Sequence, residues 1–125
     1  MSSDEVLRSI GFPGNYAGYK QLVSAMEIAT ENEDSILNIY HSIYERVALS
    51  FGTNAKSVEK NIRTLLMVAW QKEFTVREYE RIAGYPCTNR PSNSEFLDVM
   101  SNYLRVYNSV IITGNRSESS VSVIL

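Results

Sequence analysis

Lys56, Lys60 and Arg63 recur along one stretch of the chain at helical spacing. At about 100° per residue, with Val58 as the centre of an apolar stripe, Ile62, Leu65 and Ala69 fall within about 40° of that centre. The three cations fall about 160°, 200° and 140° away, on the opposite face. A helix of this kind buries one side and offers positive charge on the other. Its chemistry is the recognition of a polyanion: a guanidinium takes guanine bidentately or grips phosphate, and ammonium groups supply point charges. Glu59, about 100° from the stripe, can accept from cytosine N4 or orient Arg63 four residues on. Docking in a major groove requires such a face on the second helix of a helix-turn-helix.

The elements that would position these residues are helices. Residues 4–10 read as a short helix ended by Gly11, Phe12 and Pro13, because proline supplies no N–H and restricts its predecessor. A second spans about 18–30, with Tyr19, Leu22, Val23, Met26 and Ala29 in phase. The third, about 36–51, repeats Ile36, Ile39, Tyr40, Ile43, Val47 and Phe51 at three and four. Gly52 then breaks the pattern, and Thr53 or Asn54 can cap the fourth helix, about 55–72. Ala48 is small enough for the two helices to approach closely, so the pair reads as a helix-turn-helix. Asn61 stands where many such motifs carry an apolar residue. Thr75 with Glu78, and Ser92 with Glu95, are capping boxes that place a fifth helix from Val76 and a sixth from Asn93 to about Tyr107. The acidic run 31–34 reads as a solvated loop capping the helix after it.

The fold expected is therefore all-α, a bundle of about six helices over residues 1–108 followed by a tail, 109–125. In that tail Val110–Thr113 and Val121–Ile124 flank polar turn residues, the pattern of a weak hairpin. Pairing with another chain and disorder fit it equally.

Composition removes several classes. No apolar run approaches the roughly 20 residues that span a bilayer, and the acidic first ten residues lack a signal-peptide core. A single cysteine, Cys87, excludes an internal disulfide framework and a cysteine-based zinc site, and fits a reducing cytoplasm. His41 has no second ligand or nucleophile spaced with it, and reads as a helical surface or partly buried residue. Trp70 and most tyrosines read as core or boundary. Phosphate-binding and dinucleotide-binding glycine patterns, HExxH and a serine-nucleophile elbow are all missing, so an enzyme is not expected, nor a metal or other cofactor. The net charge of −2 argues against a protein that coats nucleic acid indiscriminately. That deficit is local, however: residues 1–35 carry a net −4, while 36–80 and 81–125 each carry +1.

Several stretches resemble the C-terminal effector domain of the master response regulator of sporulation in endospore-forming bacteria. They are Leu7-Arg8-x-Ile10-Gly11-x-Pro13, Gly18-Tyr19, Val58-Glu59-x-x-Ile62-Arg63, Val68-Ala69-Trp70, Gly84-Tyr85 and the run from Arg90 through Phe96. The resemblance implies an all-helical domain of about six helices whose recognition helix, 55–72, binds short promoter elements in double-stranded DNA, often as tandem copies. It also implies activation or repression of transcription, with RNA polymerase met through an exposed surface just beyond that helix. Carried over by position, Glu59 and Arg63 match residues that read or support base contacts. Lys60 and Ser57 stand where the family has arginine, and Lys56 replaces a small polar residue. Arg90 lies in a shortened loop, expected to meet the phosphate backbone, where relatives place two lysines.

A lysine cannot reproduce the guanidinium fork, so these departures imply an altered target and a weaker grip. The receiver domain that precedes the effector in the full-length regulator is not present in these residues, so the chain reads as a stand-alone effector or an excised domain; a natural stand-alone effector would lie outside control by aspartyl phosphorylation. A second reading follows from the lost cations, the net acidity and the apolar tail. It is a protein-interaction module that keeps the fold with weak DNA affinity, antagonising or pairing with a full-length regulator, or dimerising through 109–125.

Overall fold

A computed structural model describes residues 1–116, with side chains through Val110. Six α-helices are present: α1 Ser3–Ser9, α2 Ala17–Glu31, α3 Glu45–Phe51, α4 Ala55–Ala69, α5 Glu73–Ala83 and α6 Asn93–Arg116. Between α2 and α3 lie a 3-10 segment, Glu33–Asn38, and a π segment, Tyr40–Tyr44. No strand occurs among the described residues.

The helix α2 is the central strut. Its Leu22, Ala25, Met26 and Ala29 are fully buried, and it packs against both α4 and α6. Burying a Leu or Met side chain is worth roughly 1.5–3 kcal/mol. Gly18 permits the closest approach: a Cβ there would lie 2.3 Å from the Asn61 backbone oxygen on α4. Asn61 itself, half-buried, donates Nδ2 to Oε1 of buried Gln21 at 3.2 Å, so a polar pair replaces the apolar contact found at this place in many helix-turn-helix motifs. An aromatic cluster closes the other side of the core. Phe96 stacks on Tyr79 with centroids 5.5 Å apart, tilts against Phe12 at 5.3 Å, and meets Trp70 edge-on at 6.2 Å.

Several features depart from the sequence expectation, among them the end of α4, at Ala69 rather than about 72. The third helix is not uniform. Its first part is 3-10, and the π segment makes a wide turn in which the Glu45 N–H donates to the Tyr40 carbonyl. The wider turn shifts the apolar phase. Ile43 and Tyr44 are both buried, whereas Tyr40 and Phe51 are exposed.

The fifth helix starts at Glu73, with Lys72 at the N-cap, so Thr75 caps nothing. Its hydroxyl is fully buried against the end of α1, 2.8 Å from where a Cβ on Gly11 would sit, and packing there has overridden capping. The serine half of the second box is present, Ser92 Oγ accepting from the Glu95 N–H at 3.1 Å, while the Glu95 carboxylate accepts from the Tyr85 hydroxyl at 3.1 Å. Finally, α6 runs through Arg116 rather than ending near Tyr107. Val110–Thr113, one arm of the candidate hairpin, is helical, because extending a formed helix adds one hydrogen bond per residue while a new strand needs a partner. The other arm, 121–124, lies outside the described residues.

The acidic run 31–34 overlaps the 3-10 segment rather than forming a plain loop, and Glu33 pairs with Arg105 at 3.3 Å. No helix among the described residues is long and apolar enough to cross a membrane.

Candidate nucleic-acid interface

The turn between α3 and α4 is built by two residues. Gly52 takes φ 65° and ψ 35°, a left-handed conformation that costs a side-chain-bearing residue energy. Its N–H and that of Thr53 both return to the Ala48 carbonyl and close the end of α3. Asn54 then caps α4, its Oδ1 accepting from the Ser57 N–H at 2.9 Å. Ala48 and Val58 are buried against the core on either side of this turn, as the spacing predicts. Asn54→Ala is expected to destabilise the fold by about 1 kcal/mol, read as a lower urea midpoint with unchanged slope; an unchanged midpoint would show that the cap contributes nothing.

On α4 the faces divide as the periodicity requires. Val58, Ile62, Leu65, Leu66 and Ala69 are buried; Lys56, Lys60 and Arg63 are exposed. Ser57 and Glu59 sit at the boundary. Glu59 Oε1 lies 3.4 Å from Arg63 Nε, one turn away. An exposed pair of this kind adds little stability, but it restricts where the guanidinium points.

Arg63, Glu59 and Arg90 converge. They line one cleft of about 360 Å³, together with Tyr44, Pro91 and the first turn of α6. One wall is α4 and the other is the segment Arg90–Ser94. Lys56, Ser57 and Lys60 are not in the cleft, and lie along the helix beside it. Among the described residues Lys56, Lys60 and Arg90 have no ion-pair partner. Arg8, Arg77, Arg81 and Arg105, by contrast, are each paired with a carboxylate. Of the cations predicted to face a ligand, Arg63 is thus the one that the fold pairs, with Glu59.

The periodicity gave no sign of two residues at this site. Buried Asn93 donates Nδ2 to Tyr44 Oη at 3.0 Å and to the Glu59 carbonyl at 3.1 Å. Burial pushes the Tyr44 hydroxyl above its ordinary pKa, against the opposing effect of the Asn93 bond. The signals for Asn93 were its place directly after a capping serine and within the family-like run from Arg90 through Phe96.

Elsewhere the plain readings stand. His41 is exposed and sits 2.8 Å from Glu45. Cys87 is half-buried, and its thiol is raised by burial and by Glu80 and Glu95, the opposite of a reactive thiolate. Among the described residues no cluster of His, Cys, Asp and Glu could hold a metal ion.

A helix-turn-helix with exposed cations on the outer face of its second helix, set in an all-α domain, has the architecture of a DNA-binding effector domain. Residues 4–104 match the family model described as sporulation initiation factor Spo0A C terminal. The chain belongs to that family of non-enzymatic, DNA-binding transcriptional effector domains.

Proposed function

We propose that this protein is a sequence-specific transcriptional regulator that lays α4 in the major groove of promoter DNA. The observation that carries this reading is the exposed row Lys56, Lys60 and Arg63, with Arg90 facing Arg63 across the cleft. Arg63 reads guanine or grips phosphate, oriented by Glu59; Lys56 and Lys60 add point charges; Ser57 offers a hydroxyl near the helix start; Arg90 holds the backbone. The DNA-binding unit is residues 1–108, acting in the bacterial cytoplasm and on the nucleoid, as a homodimer or as tandem copies. Phe74, exposed in the first turn of α5 just beyond α4, is an apolar group available to RNA polymerase.

The test is selection of bound fragments from genomic DNA by the purified protein at fixed salt, followed by gel retardation. Lys60→Ala should weaken all fragments about equally and reduce the slope of log K against log salt by about 1. If no fragment is enriched, the regulator reading fails.

One observation favours a second reading, the interaction module of weak DNA affinity. The Glu59 carboxylate lies inside the cleft with both arginines and offsets part of their charge. Under that reading the selection enriches nothing, and the protein instead co-purifies with a full-length regulator.

A further inference from the structure

Asn93 is the first residue of α6, a position that usually faces water, yet it is buried. A buried amide is costly unless its hydrogens are paired. Both Nδ2 hydrogens are, and their acceptors lie on two different elements: the Tyr44 hydroxyl on the π segment and the Glu59 carbonyl on α4. Three elements therefore meet on one side chain. Immediately upstream, Pro91 is buried with its φ held by the ring, and Ser92 is committed to capping α6. Little freedom is left between Asn93 and Arg90. Where Asn93 docks on α4 sets how far Arg90 stands from Arg63. The docking point is the backbone of Glu59, the same residue whose carboxylate orients Arg63.

We propose that Asn93 is a positioning residue of the DNA interface, holding the head of α6 on Glu59 and Tyr44 so that Arg90 and Arg63 grip one duplex together. The proposal rests on the DNA-binding reading above. Asn93 itself touches no nucleic acid; it acts through the two arginines.

The experiment uses the full chain and a duplex cut from a fragment that the wild-type protein selects. Retardation is followed across a salt series for Asn93→Ala, Tyr44→Phe, Arg90→Ala and the Asn93→Ala/Arg90→Ala double variant. Thermal midpoints establish that each is folded at the assay temperature. Arg90→Ala should lower the salt slope by about 1. Asn93→Ala keeps every cation, yet should lower the slope by a similar amount and the affinity several-fold. Adding Arg90→Ala to it should then change little, since the two act as one unit. Tyr44→Phe, which spares the Glu59 bond, should fall between wild type and Asn93→Ala.

A lower midpoint with an unchanged slope, or simple addition of the two substitutions, makes Asn93 merely structural and overturns the proposal. If Asn93→Ala does not fold, an unchanged slope in Tyr44→Phe overturns it. Failure of the wild type to select any fragment overturns the DNA reading, and this assignment falls with it.

Discussion

Arg63→Ala is expected to abolish sequence-specific retention of promoter fragments while leaving the protein folded. The side chain is exposed and its one partner is a surface ion pair, so its loss costs the fold little. A bidentate arginine–guanine contact is worth roughly 1–3 kcal/mol of discrimination, about 5- to 150-fold. The substitution also frees the Glu59 carboxylate to face the phosphates, which adds repulsion to the lost attraction. Arg63→Lys separates the two contributions, because lysine keeps the charge and loses the fork. It should restore most of the salt slope and little of the preference for selected over random duplex. Retention of selected fragments by Arg63→Ala at wild-type affinity would remove α4 from the role assigned to it.

The largest expected effect on stability comes from a methyl group. Gly18→Ala in a helix would ordinarily add up to about 1 kcal/mol of stability through propensity. Here the new Cβ would lie 2.3 Å from the Asn61 carbonyl oxygen, 2.8 Å from its carbonyl carbon and 3.3 Å from the Ile62 nitrogen. All three are backbone atoms of α4, so no side chain can swing away, and α2 and α4 must separate. Overpacking typically costs about 1–3 kcal/mol with side chains yielding; against backbone we expect at least about 3 kcal/mol, or a fall of roughly 10 °C in thermal midpoint. With α4 as the recognition helix proposed above, the folded fraction should also bind DNA more weakly. A midpoint equal to or above wild type would show that the approach of the two helices is looser than the structure has it.

The contrast between these two residues shows what could be read from the chain alone. Arg63 was legible because helical phase is a local property: the apolar positions of α4 announce which side is outward. The turn was legible for the same reason, since Gly52 and Asn54 act within a few residues of themselves. The Ser92 cap also belongs to this class. Tertiary contacts were not legible. Nothing around Thr75 distinguishes a capping threonine from one buried against the end of α1, and its neighbour Glu78 completes a convincing box. The π turn at Tyr40–Tyr44 ends on Tyr44, which is buried beside Asn93 in a contact across 49 positions. Val110–Thr113 is β-branched in the main, and such residues favour strands only where a pleated neighbour exists; α6 reached them first. Of the candidate site, Glu59, Arg63 and Arg90 were anticipated and meet at one cleft, although Arg90 came from family resemblance rather than from spacing. The side chain that joins the two walls was not anticipated.

The 24 residues of α6 also set a length scale. At 1.5 Å per residue the helix spans about 36 Å from its origin at the cleft, close to one full turn of duplex, roughly 34–36 Å. Its two ends, Asn93 at the cleft and Arg116, therefore stand about one duplex turn apart. A fluorophore or affinity handle coupled near Arg116 would stand about 36 Å from the cleft proposed to meet DNA, whereas the same attachment on the loop before Arg90 would stand beside that cleft.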